Sequence, residues 1–442
     1  MTAGVLAACA KSGGAPFVGG PDRAGVGMHH QSASGKIAHV VVIVQENRSF
    51  DNLFQGYPGA DTQSYGYTSK GKKLKLQPLG LQTAWDITHD AASFFAACDG
   101  TGSLPGTDCK MDGFDLEAVT CGGLHPPCPY AHPQYVYVPR AGIKPYFTLA
   151  KQYVLADRMF ASNFDMSSFI SHQYLIAGQA SSTVNFPLTM WGCDGGPNDT
   201  IATLTQQRTY GPKVPVCFDN ETLGDELDAA GLPWRYYTSA IHVDGGFYSA
   251  YQAIAHIRNG PDWHQDVVHP QTRFFTDVKK GRLPAVSWIT PTCRNSDHAG
   301  CFGSHGPEWV ASLVNAVGKS QYWNNTAIFI FWDDPGGFYD HVPPPMVDYD
   351  GLGMRVPMLI VSAYAKAGYV SHVQYEHGSI LRFIEDQFGL PRLAATDARA
   401  TSPEQDAFDF SSPPRPFKVI PAAHDANFFE HEPYDPRPPD TQ

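Results

Sequence analysis

The sequence predicts an α/β fold in which a largely parallel central sheet is flanked by helices on both faces. Apolar runs at 40–44, Thr326–Trp332 and Arg355–Ser362 support this prediction. An unbroken run of this kind is typical of a strand that is buried on both of its faces. Between these runs, the amphipathic segment 308–317 is typical of a helix that covers such a sheet.

The first strand, 40–44, ends abruptly at Gln45, Glu46 and Asn47. A carboxylate and a carboxamide at the end of a parallel strand lie where open α/β sheets usually bind their ligands. Ser49 and Asp51 follow at positions suited to capping the next helix. The alternative interpretation is an ordinary strand-to-helix turn with polar caps.

Further strands and helices are expected along the chain. The strand Thr326–Trp332 ends at Asp333 and Asp334, two adjacent carboxylates that repel each other unless a positive charge lies between them. A solvated turn is the alternative for this pair. The remaining predictions are strands at Trp234–Tyr237 and 283–289, a helix running into a strand over 146–155, a helix beginning near residue 169 and a helix at 379–388.

Composition limits the classes of function. The formal charge of −12 argues against a nucleic-acid partner, which requires a basic surface. No run of about 18 apolar residues is present, so no transmembrane segment is expected. We expect a flexible N-terminal segment at 1–36, a catalytic domain at 37–402 and a proline-rich strap at 403–442.

Eight of the nine cysteines fall into local pairs within loops rich in glycine and proline. The simplest pairing joins residues 98 and 109, 121 and 128, 193 and 217, and 293 and 301. Disulfides of this kind indicate an exported protein, periplasmic or secreted, whereas zinc binding is the alternative. Cys9 follows a short lipobox-like segment and is a candidate lipid anchor.

Several segments resemble one family. These are ENRSFD at 46–51, MDGF at 111–114, WDD at 332–334 and GGFYDHVPPP at 336–345. Together they resemble the bacterial phosphoesterase family of acid phosphatases and phospholipases C, which is similar in fold to alkaline phosphatase. The resemblance therefore implies a hydrolase that acts on phosphoric esters.

The resemblance also implies a metal site and a nucleophile. Aligned on Tyr174 and Gly178, Ser168 takes the nucleophile position and His172 matches a histidine of the family. Ser167 is a competitor, because the family's Gly-Pro and Pro-Asn are replaced here. The predicted ligands of one divalent ion (zinc, calcium, manganese or magnesium) are Glu46, Asn47, Ser168, Asp333 and Asp334.

Histidines complete the predicted site. His89 and His298 are expected to contact the phosphate and to take part in catalysis, and His341 is expected to be catalytic. His242 is a weaker candidate for substrate binding, since its local sequence matches poorly.

The predicted reaction is metal-dependent hydrolysis of a phosphoric ester through a phosphoseryl intermediate. The chain ends soon after the predicted core, whereas phospholipases of the family commonly carry further C-terminal domains, which favours an acid phosphatase. The first alternative is a phospholipase C that cleaves phosphatidylcholine-type diesters. The second is a non-catalytic relative that binds a metal or a lipid.

Overall fold

The structure, a computed structural model, describes residues 35–123, 126–187, 190–301, 303, 305–433 and 435–437. The predicted N-terminal segment and the lipid anchor at Cys9 lie almost wholly outside these residues. Among the described residues, no helix is long and apolar enough to cross a membrane.

The strands of the described residues form one large sheet and three small ones. In chain order they are β1 His39–Gln45, β2 Tyr65–Tyr67, β3 Lys73–Lys75, β4 Gln77–Pro78, β5 Val136–Tyr137, β6 Val154–Phe160, β7 Thr183–Val184, β8 Thr200–Leu204, β9 Tyr210–Pro215, β10 Trp234–Tyr237, β11 Val267–Val268, β12 Val286–Ile289, β13 Thr326–Trp332, β14 Arg355–Ser362, β15 Tyr369–Ser371 and β16 Tyr375–Glu376.

The large sheet has nine strands in the order β11-β10-β12-β1-β13-β14-β6-β15, and β16 also pairs with β6. Strand β1 lies near the centre, with Val42 opposite Trp288 on one side and Phe329 on the other. Strand β14 runs antiparallel to both β13 and β6, while the other pairings of this sheet in the described residues are parallel. The predicted largely parallel sheet is confirmed.

The helices of the described residues are mostly short. They are α1 Phe50–Phe54, α2 Ala91–Cys98, α3 Lys144–Gln152, α4 Ser168–Ala177, α5 Leu223–Ala229, α6 Ala255–Arg258, α7 Asp262–Gln265, α8 Arg273–Lys279, α9 Gly306–Gly318, α10 His377–Phe388, α11 Ala395–Arg399, α12 Glu404–Ala407 and α13 Ala426–Glu430.

Two groups of helices pack against the sheet. Helices α3, α8 and α13 contact α9, whereas α4 contacts α5 and α10. All seven residues of β13 are buried, and successive side chains of a strand point to opposite faces. Both faces of the sheet are therefore covered, as the fold prediction required.

The carboxyl ends of the central strands meet at one edge of the sheet. Strands β1, β12 and β13 are parallel neighbours, and β6 has the same direction because it is antiparallel to β14. The segments that follow β1, β6, β12 and β13 therefore emerge together. This edge brings Glu46, Ser168, His298 and Asp333 within reach of one another.

The predicted elements are largely confirmed, with shifted ends. Strand β12 begins at Val286 rather than at residue 283, and α10 begins two residues earlier than predicted, at His377. Ser49 caps α1 by accepting a hydrogen bond from Asn52 N at 3.2 Å. The capping role expected for Asp51 is wrong: it lies within α1, and its carboxylate accepts from Gln63 N and His341 N.

All four predicted disulfides are present, joining Cys98 to Cys109, Cys121 to Cys128, Cys193 to Cys217 and Cys293 to Cys301. Each closes a loop of 7 to 24 residues. The Cys293–Cys301 bridge closes the loop that carries Asp297 and His298. Zinc binding by these cysteines is therefore excluded, because all eight sulfur atoms are used.

The described part of the predicted C-terminal strap follows the surface of the sheet domain. Phe408 packs on Phe383 of α10, with ring centroids 5.1 Å apart, and Phe429 packs on Trp309 of α9 at 5.2 Å. Glu432 accepts a hydrogen bond from Asn295 Nδ2 at 2.6 Å. The division of the chain at residue 402 stays a prediction.

Candidate active site

Asn47 is at the centre of the candidate site, at the carboxyl end of β1. It adopts a left-handed backbone conformation with φ of 60°, which asparagine tolerates better than most residues. Gly336 packs directly against it, because a Cβ at Gly336 would lie 2.4 Å from the Asn47 carbonyl oxygen. The turn after β13 is thus held on the turn after β1.

The carboxamide of Asn47 faces two kinds of neighbour. Its oxygen lies 2.9 Å from Glu46 Oε2 and 3.0 Å from Asp333 Oδ1. Its nitrogen lies 2.8 Å from His89 Nε2 and 3.0 Å from His298 Nε2. Three oxygen atoms therefore converge on one side of Asn47, and two imidazoles lie on the other.

The histidine neighbours support this orientation of the carboxamide, which has to be assigned from its partners. His89 Nδ1 is 2.6 Å from the Ile87 carbonyl oxygen, and His298 Nδ1 contacts the carbonyl oxygen of Ala299. Because Nδ1 donates its hydrogen in each case, Nε2 of a neutral ring is an acceptor. One amide hydrogen of Asn47 then has His89 Nε2 as its acceptor, at 2.8 Å.

Ser168 is the first residue of α4 and is almost fully buried. Its hydroxyl is within hydrogen-bonding distance of Asp334 Oδ2, at 3.2 Å, and of Asn47 Nδ2, at 3.3 Å. Ser167 is directed elsewhere: its hydroxyl donates to the carbonyl oxygen of Asn185, and its backbone N–H donates to Asp165. Of the two candidate serines, Ser168 faces the carboxylates.

His172 adds a nitrogen to the same site. One turn of α4 after Ser168, its Nε2 lies 2.9 Å from Glu46 Oε1 and 3.6 Å from Asp333 Oδ2. Its Nδ1 is 3.0 Å from the Tyr248 carbonyl oxygen and donates there. A neutral His172 therefore directs a lone pair at Glu46 and Asp333, which is unfavourable when both are ionised unless a cation lies between them.

We call Glu46, Asn47, Ser168, Asp333 and Asp334 the oxygen cluster. Burial raises the pKa of Glu46 to about 8 and that of Asp333 to about 7, and it raises the pKa of Asp334 well above its usual value. Asp333 Oδ2 has no hydrogen-bond partner among the described residues. The cluster thus holds three buried carboxyl groups and too few donors to stabilise them as anions.

A divalent cation fits this donor set. Three carboxylates, one carboxamide oxygen and one hydroxyl match the preference of calcium, magnesium and manganese for oxygen, and His172 also suits zinc. Glu46, His172 and Asp333 place one ligand atom each within 4.8 Å of one another. The predicted ligands are therefore brought together, whereas the identity of the ion stays open to measurement.

The loop that carries His298 is fixed by buried polar contacts. Asp297 Oδ2 accepts hydrogen bonds from Tyr146 Oη at 2.8 Å and from Trp332 Nε1 at 3.0 Å. Arg48, which follows Asn47 and is itself fully buried, donates from Nε to the Asp297 carbonyl oxygen at 2.7 Å. The contacts of Arg48 and Trp332 couple the His298 loop to the ends of β1 and β13.

His341 is not brought to Ser168. Its Nδ1 lies 2.6 Å from Asp51 Oδ2, and its Nε2 lies 3.1 Å from Asp61 Oδ1. Arg355, which lies 3.6 Å from the same Asp51, donates from Nε to Asp340 Oδ1 at 3.0 Å. We call Asp51, Asp340, His341 and Arg355 the arginine cluster. Because His341 lies in this cluster and not beside Ser168, its position does not support the predicted catalytic role.

His242 is likewise apart from the oxygen cluster. It lies exposed in the turn that follows β10. In the described part of the chain, no hydrogen bond joins it to His89, His298 or Ser168. Its predicted role in substrate binding stays a prediction.

The sequence matched His172 to a histidine of the family but did not predict it as a metal ligand, and it assigned no role to Arg48 or Asp297. The spacing of His172 from Ser168 was an available signal, since residues i and i+4 share one face of a helix. Arg48 and Asp297 offered no comparable signal, because their contacts cross 249 positions of the chain.

Comparison with known proteins assigns the chain to a family. The non-hemolytic phospholipase C of Pseudomonas aeruginosa is 26% identical over 456 residues, which cover 88% of this chain and 60% of that protein. Phospholipase C A of Mycobacterium tuberculosis is 23% identical over 428 residues, covering 86% of this chain and 78% of that protein. This chain therefore spans less than two thirds of the length of the Pseudomonas relative.

A solved structure of a protein in the alkaline phosphatase superfamily from Vibrio parahaemolyticus aligns with a TM-score of 0.39 and 12% identity, covering 85% of this chain and 74% of that chain. The model of the Phosphoesterase family matches residues 37–391, which is most of the sequence. The chain belongs to the phosphoesterase family.

Proposed function

We propose that this protein hydrolyses phosphoric esters, with Ser168 as the nucleophile and one divalent metal ion held by the oxygen cluster and His172. The observation that carries this proposal is the position of Ser168 Oγ, 3.2 Å from Asp334 Oδ2 and 3.3 Å from the carboxamide of Asn47. A hydroxyl at the first residue of a helix and beside buried carboxylates is suited to nucleophilic attack once a cation is bound.

The metal would supply two effects, a lower pKa for the Ser168 hydroxyl and compensation of the negative charge of the phosphoryl group. The protein supplies the geometry. Glu46, Asn47 and Asp333 come from the rigid ends of two neighbouring central strands, so their positions do not depend on a flexible loop. Oγ of Ser168 loses its proton to solvent and attacks phosphorus, the bond to the leaving oxygen breaks, and the leaving oxygen takes up a proton.

His89 and His298 are proposed to bind the phosphoryl oxygens. Each ring is oriented by a backbone carbonyl at Nδ1 and directs Nε2 towards Asn47. The two ring centroids are 5.4 Å apart, and both side chains are buried. A protonated ring would donate to a phosphoryl oxygen or give its proton to the leaving group.

Hydrolysis is completed at the phosphorylated serine. Water attacks the phosphorus of phosphoserine, the Oγ–phosphorus bond breaks, and Ser168 regains its proton. This second step yields free phosphate from a monoester substrate, or the phosphomonoester of the head group from a phospholipid.

The substrate proposal favours a phospholipid diester. The sequence alone favoured a phosphomonoester, but the two curated relatives described above are named phospholipases C. Export of the protein, to the periplasm or the medium, is part of this proposal and is supported by the four disulfides.

The test is a comparison of rates on three substrates: p-nitrophenyl phosphate, bis(p-nitrophenyl) phosphate and phosphatidylcholine. Each is measured after chelation and again after addition of zinc, calcium, manganese or magnesium. We expect activity only with metal and the highest kcat/KM on phosphatidylcholine. A preference for p-nitrophenyl phosphate would instead identify an acid phosphatase.

The same assay tests the non-catalytic alternative. A metal-loaded protein that hydrolyses none of the three substrates would be a binding relative, and the proposed activity would be wrong. Mass spectrometry of enzyme quenched in acid during turnover adds a direct criterion, since phosphate is expected on the peptide that contains Ser168.

A further inference from the structure

One short segment of this acidic protein is strongly basic. Although the formal net charge is −12, four of the six residues from 70 to 75 are lysines: Lys70, Lys72, Lys73 and Lys75. No aspartate or glutamate occurs between Asp61 and Asp86. Among the described residues, none of these four lysines forms an ion pair with a carboxylate, and all four are exposed.

These lysines lie on a two-stranded ribbon formed by β2 and β3. Tyr65 pairs with Lys75, and Tyr67 pairs with Lys73, so these four side chains share one face of the ribbon. Lys73 Nζ lies 3.5 Å from the centre of the Tyr65 ring, within range of a cation–π contact. Lys70 and Lys72 occupy the turn between the strands.

Exposed apolar side chains accompany the charges. Tyr67 is 45% exposed, and Leu116, on a neighbouring turn, is 56% exposed. The two segments are joined because Ser69 donates from its backbone N–H and its hydroxyl to Asp115, at 2.7 and 2.9 Å. The ribbon and Leu116 therefore present aromatic, aliphatic and cationic groups side by side.

The opposite face of the ribbon is fixed to the protein. A Cβ at Gly66 would lie 2.6 Å from the ring of Tyr339 and 2.8 Å from that of Tyr135, so only glycine allows this contact. Tyr135 Oη also donates to the Tyr67 carbonyl oxygen at 2.7 Å. Tyr339 belongs to the segment that follows Asp334, so the ribbon is attached to the carboxyl edge that carries the oxygen cluster.

We propose that the ribbon at 65–75, together with Leu116, docks this protein on an anionic lipid surface. Tyrosine is suited to the boundary between water and lipid because its ring is apolar and its hydroxyl is polar. Lysine extends its apolar stem along such a boundary and keeps its charge at the head groups. The positive ribbon complements a negative membrane, whereas the rest of this acidic protein is repelled by it.

Docking is a binding property and does not depend on the proposed activity. If that activity holds, docking would bring the oxygen cluster to a membrane that contains its phospholipid substrate. Nucleic acid is the competing anionic partner. It is disfavoured because the ribbon offers few charges for a polyanion, and the acidic surface around it repels the remaining phosphates.

The experiment is sedimentation of the full chain with vesicles of phosphatidylcholine alone or with about one fifth phosphatidylglycerol. We expect preferential binding to the anionic vesicles, which weakens as salt is added. The double variant Lys73→Gln/Lys75→Gln should bind about 10- to 30-fold more weakly, because each lysine near an anionic surface contributes about fivefold. Leu116→Ser should weaken binding at high salt as well as at low salt.

The matched control is Lys279→Gln/Lys280→Gln, which removes two adjacent exposed lysines at the end of α8, near the amino edge of the sheet. It should bind anionic vesicles within about twofold of the unmodified protein, since those lysines lie away from the ribbon. Rates on a soluble phosphomonoester should be equal in all variants, which separates docking from folding and from chemistry.

Three outcomes would overturn the proposal. They are equal binding to neutral and anionic vesicles, an equal loss in the control pair, and tighter binding to duplex DNA than to anionic vesicles. Loss of hydrolysis on every substrate with vesicle binding intact would remove the proposed activity and leave the docking surface standing.

Discussion

The oxygen cluster and the arginine cluster are both buried, acidic and close to a histidine, yet they differ in how their charge is balanced. In the arginine cluster, Arg355 donates to Asp340 at 3.0 Å and lies 3.6 Å from Asp51. The oxygen cluster has no such cation among the described residues: its carboxylates face an amide oxygen and a neutral imidazole. The arginine cluster carries its counter-ion within the chain, whereas the oxygen cluster has room for a cation from solution, as proposed above.

We propose that this difference in charge balance distinguishes acidic groups that bind a metal from acidic groups that stabilise the fold. Both clusters bring aspartate and histidine ligand atoms within 4.8 Å of one another. Only the oxygen cluster leaves a buried carboxylate oxygen, Asp333 Oδ2, without a hydrogen-bond partner in the described residues. We therefore expect substitutions in the oxygen cluster to affect metal and turnover, and those in the arginine cluster to affect stability.

The largest expected effect comes from Ser168→Ala. Loss of the nucleophile should lower kcat at least about 1,000-fold while substrate binding is retained, because the chemical step is removed. Single-turnover kinetics with a phosphate ester measures this. Ser167→Ala is the matched control and should stay within about tenfold, since that hydroxyl donates to the Asn185 carbonyl oxygen. A reversed pattern would assign the phosphoryl group to Ser167.

Asparagine substitutions test the two clusters directly. Asp333→Asn should lose most of its divalent ion, measured as metal per chain, because an anionic ligand is removed. Asp340→Asn should keep the ion but lower the free energy of unfolding by about 3 kcal/mol, since a buried arginine loses its main partner. Full metal content in Asp333→Asn would show that the oxygen cluster is only a polar turn.

Removal of the metal should make stability depend on pH. In the metal-free protein, burial raises the pKa of Glu46 to about 8 and that of Asp333 to about 7. The folded state therefore holds protons that the unfolded state releases above about pH 4.5, so stability should fall as pH rises towards 8.

The expected loss is on the order of 3 kcal/mol between pH 5 and pH 8, measured by urea unfolding after chelation. Addition of the metal at pH 8 should restore stability, because a cation favours the ionised carboxylates. Identical pH profiles with and without metal would contradict the assignment of the ion to this cluster.

The smallest effect is expected for His341→Asn. Its contacts lie within the arginine cluster, so kcat/KM should change less than about threefold, with a loss of about 1 kcal/mol in stability. His298→Asn is the comparison and should lower kcat about 100-fold, as expected for a group that contacts the phosphoryl oxygens. Equal losses of turnover in both variants would give His341 the catalytic role that the sequence predicted.

Local patterns in the sequence were sufficient for the strands and the disulfides. The β-branched run before Glu46 and the aromatic run before Asp333 could form buried strands without reference to the rest of the chain. The cysteines pair across 7 to 24 residues, a distance at which neighbours in sequence are also neighbours in space. The five proposed oxygen ligands needed more than local pattern: strand ends indicated Glu46, Asn47, Asp333 and Asp334, and the family resemblance supplied the alignment that selects Ser168.

Only the tertiary structure decided which side chains meet. His172 contacts Glu46 across 126 positions, and His341 contacts Asp51 across 290, so sequence proximity to a recognised segment did not predict either contact. The proposal of Ser168 rather than Ser167 as the nucleophile rests on which hydroxyl lies near Asn47. The sequence determined which polar side chains follow each strand. Packing of distant strand ends at one edge of the sheet determined which of those side chains share a site, and which carboxylates lack a counter-ion.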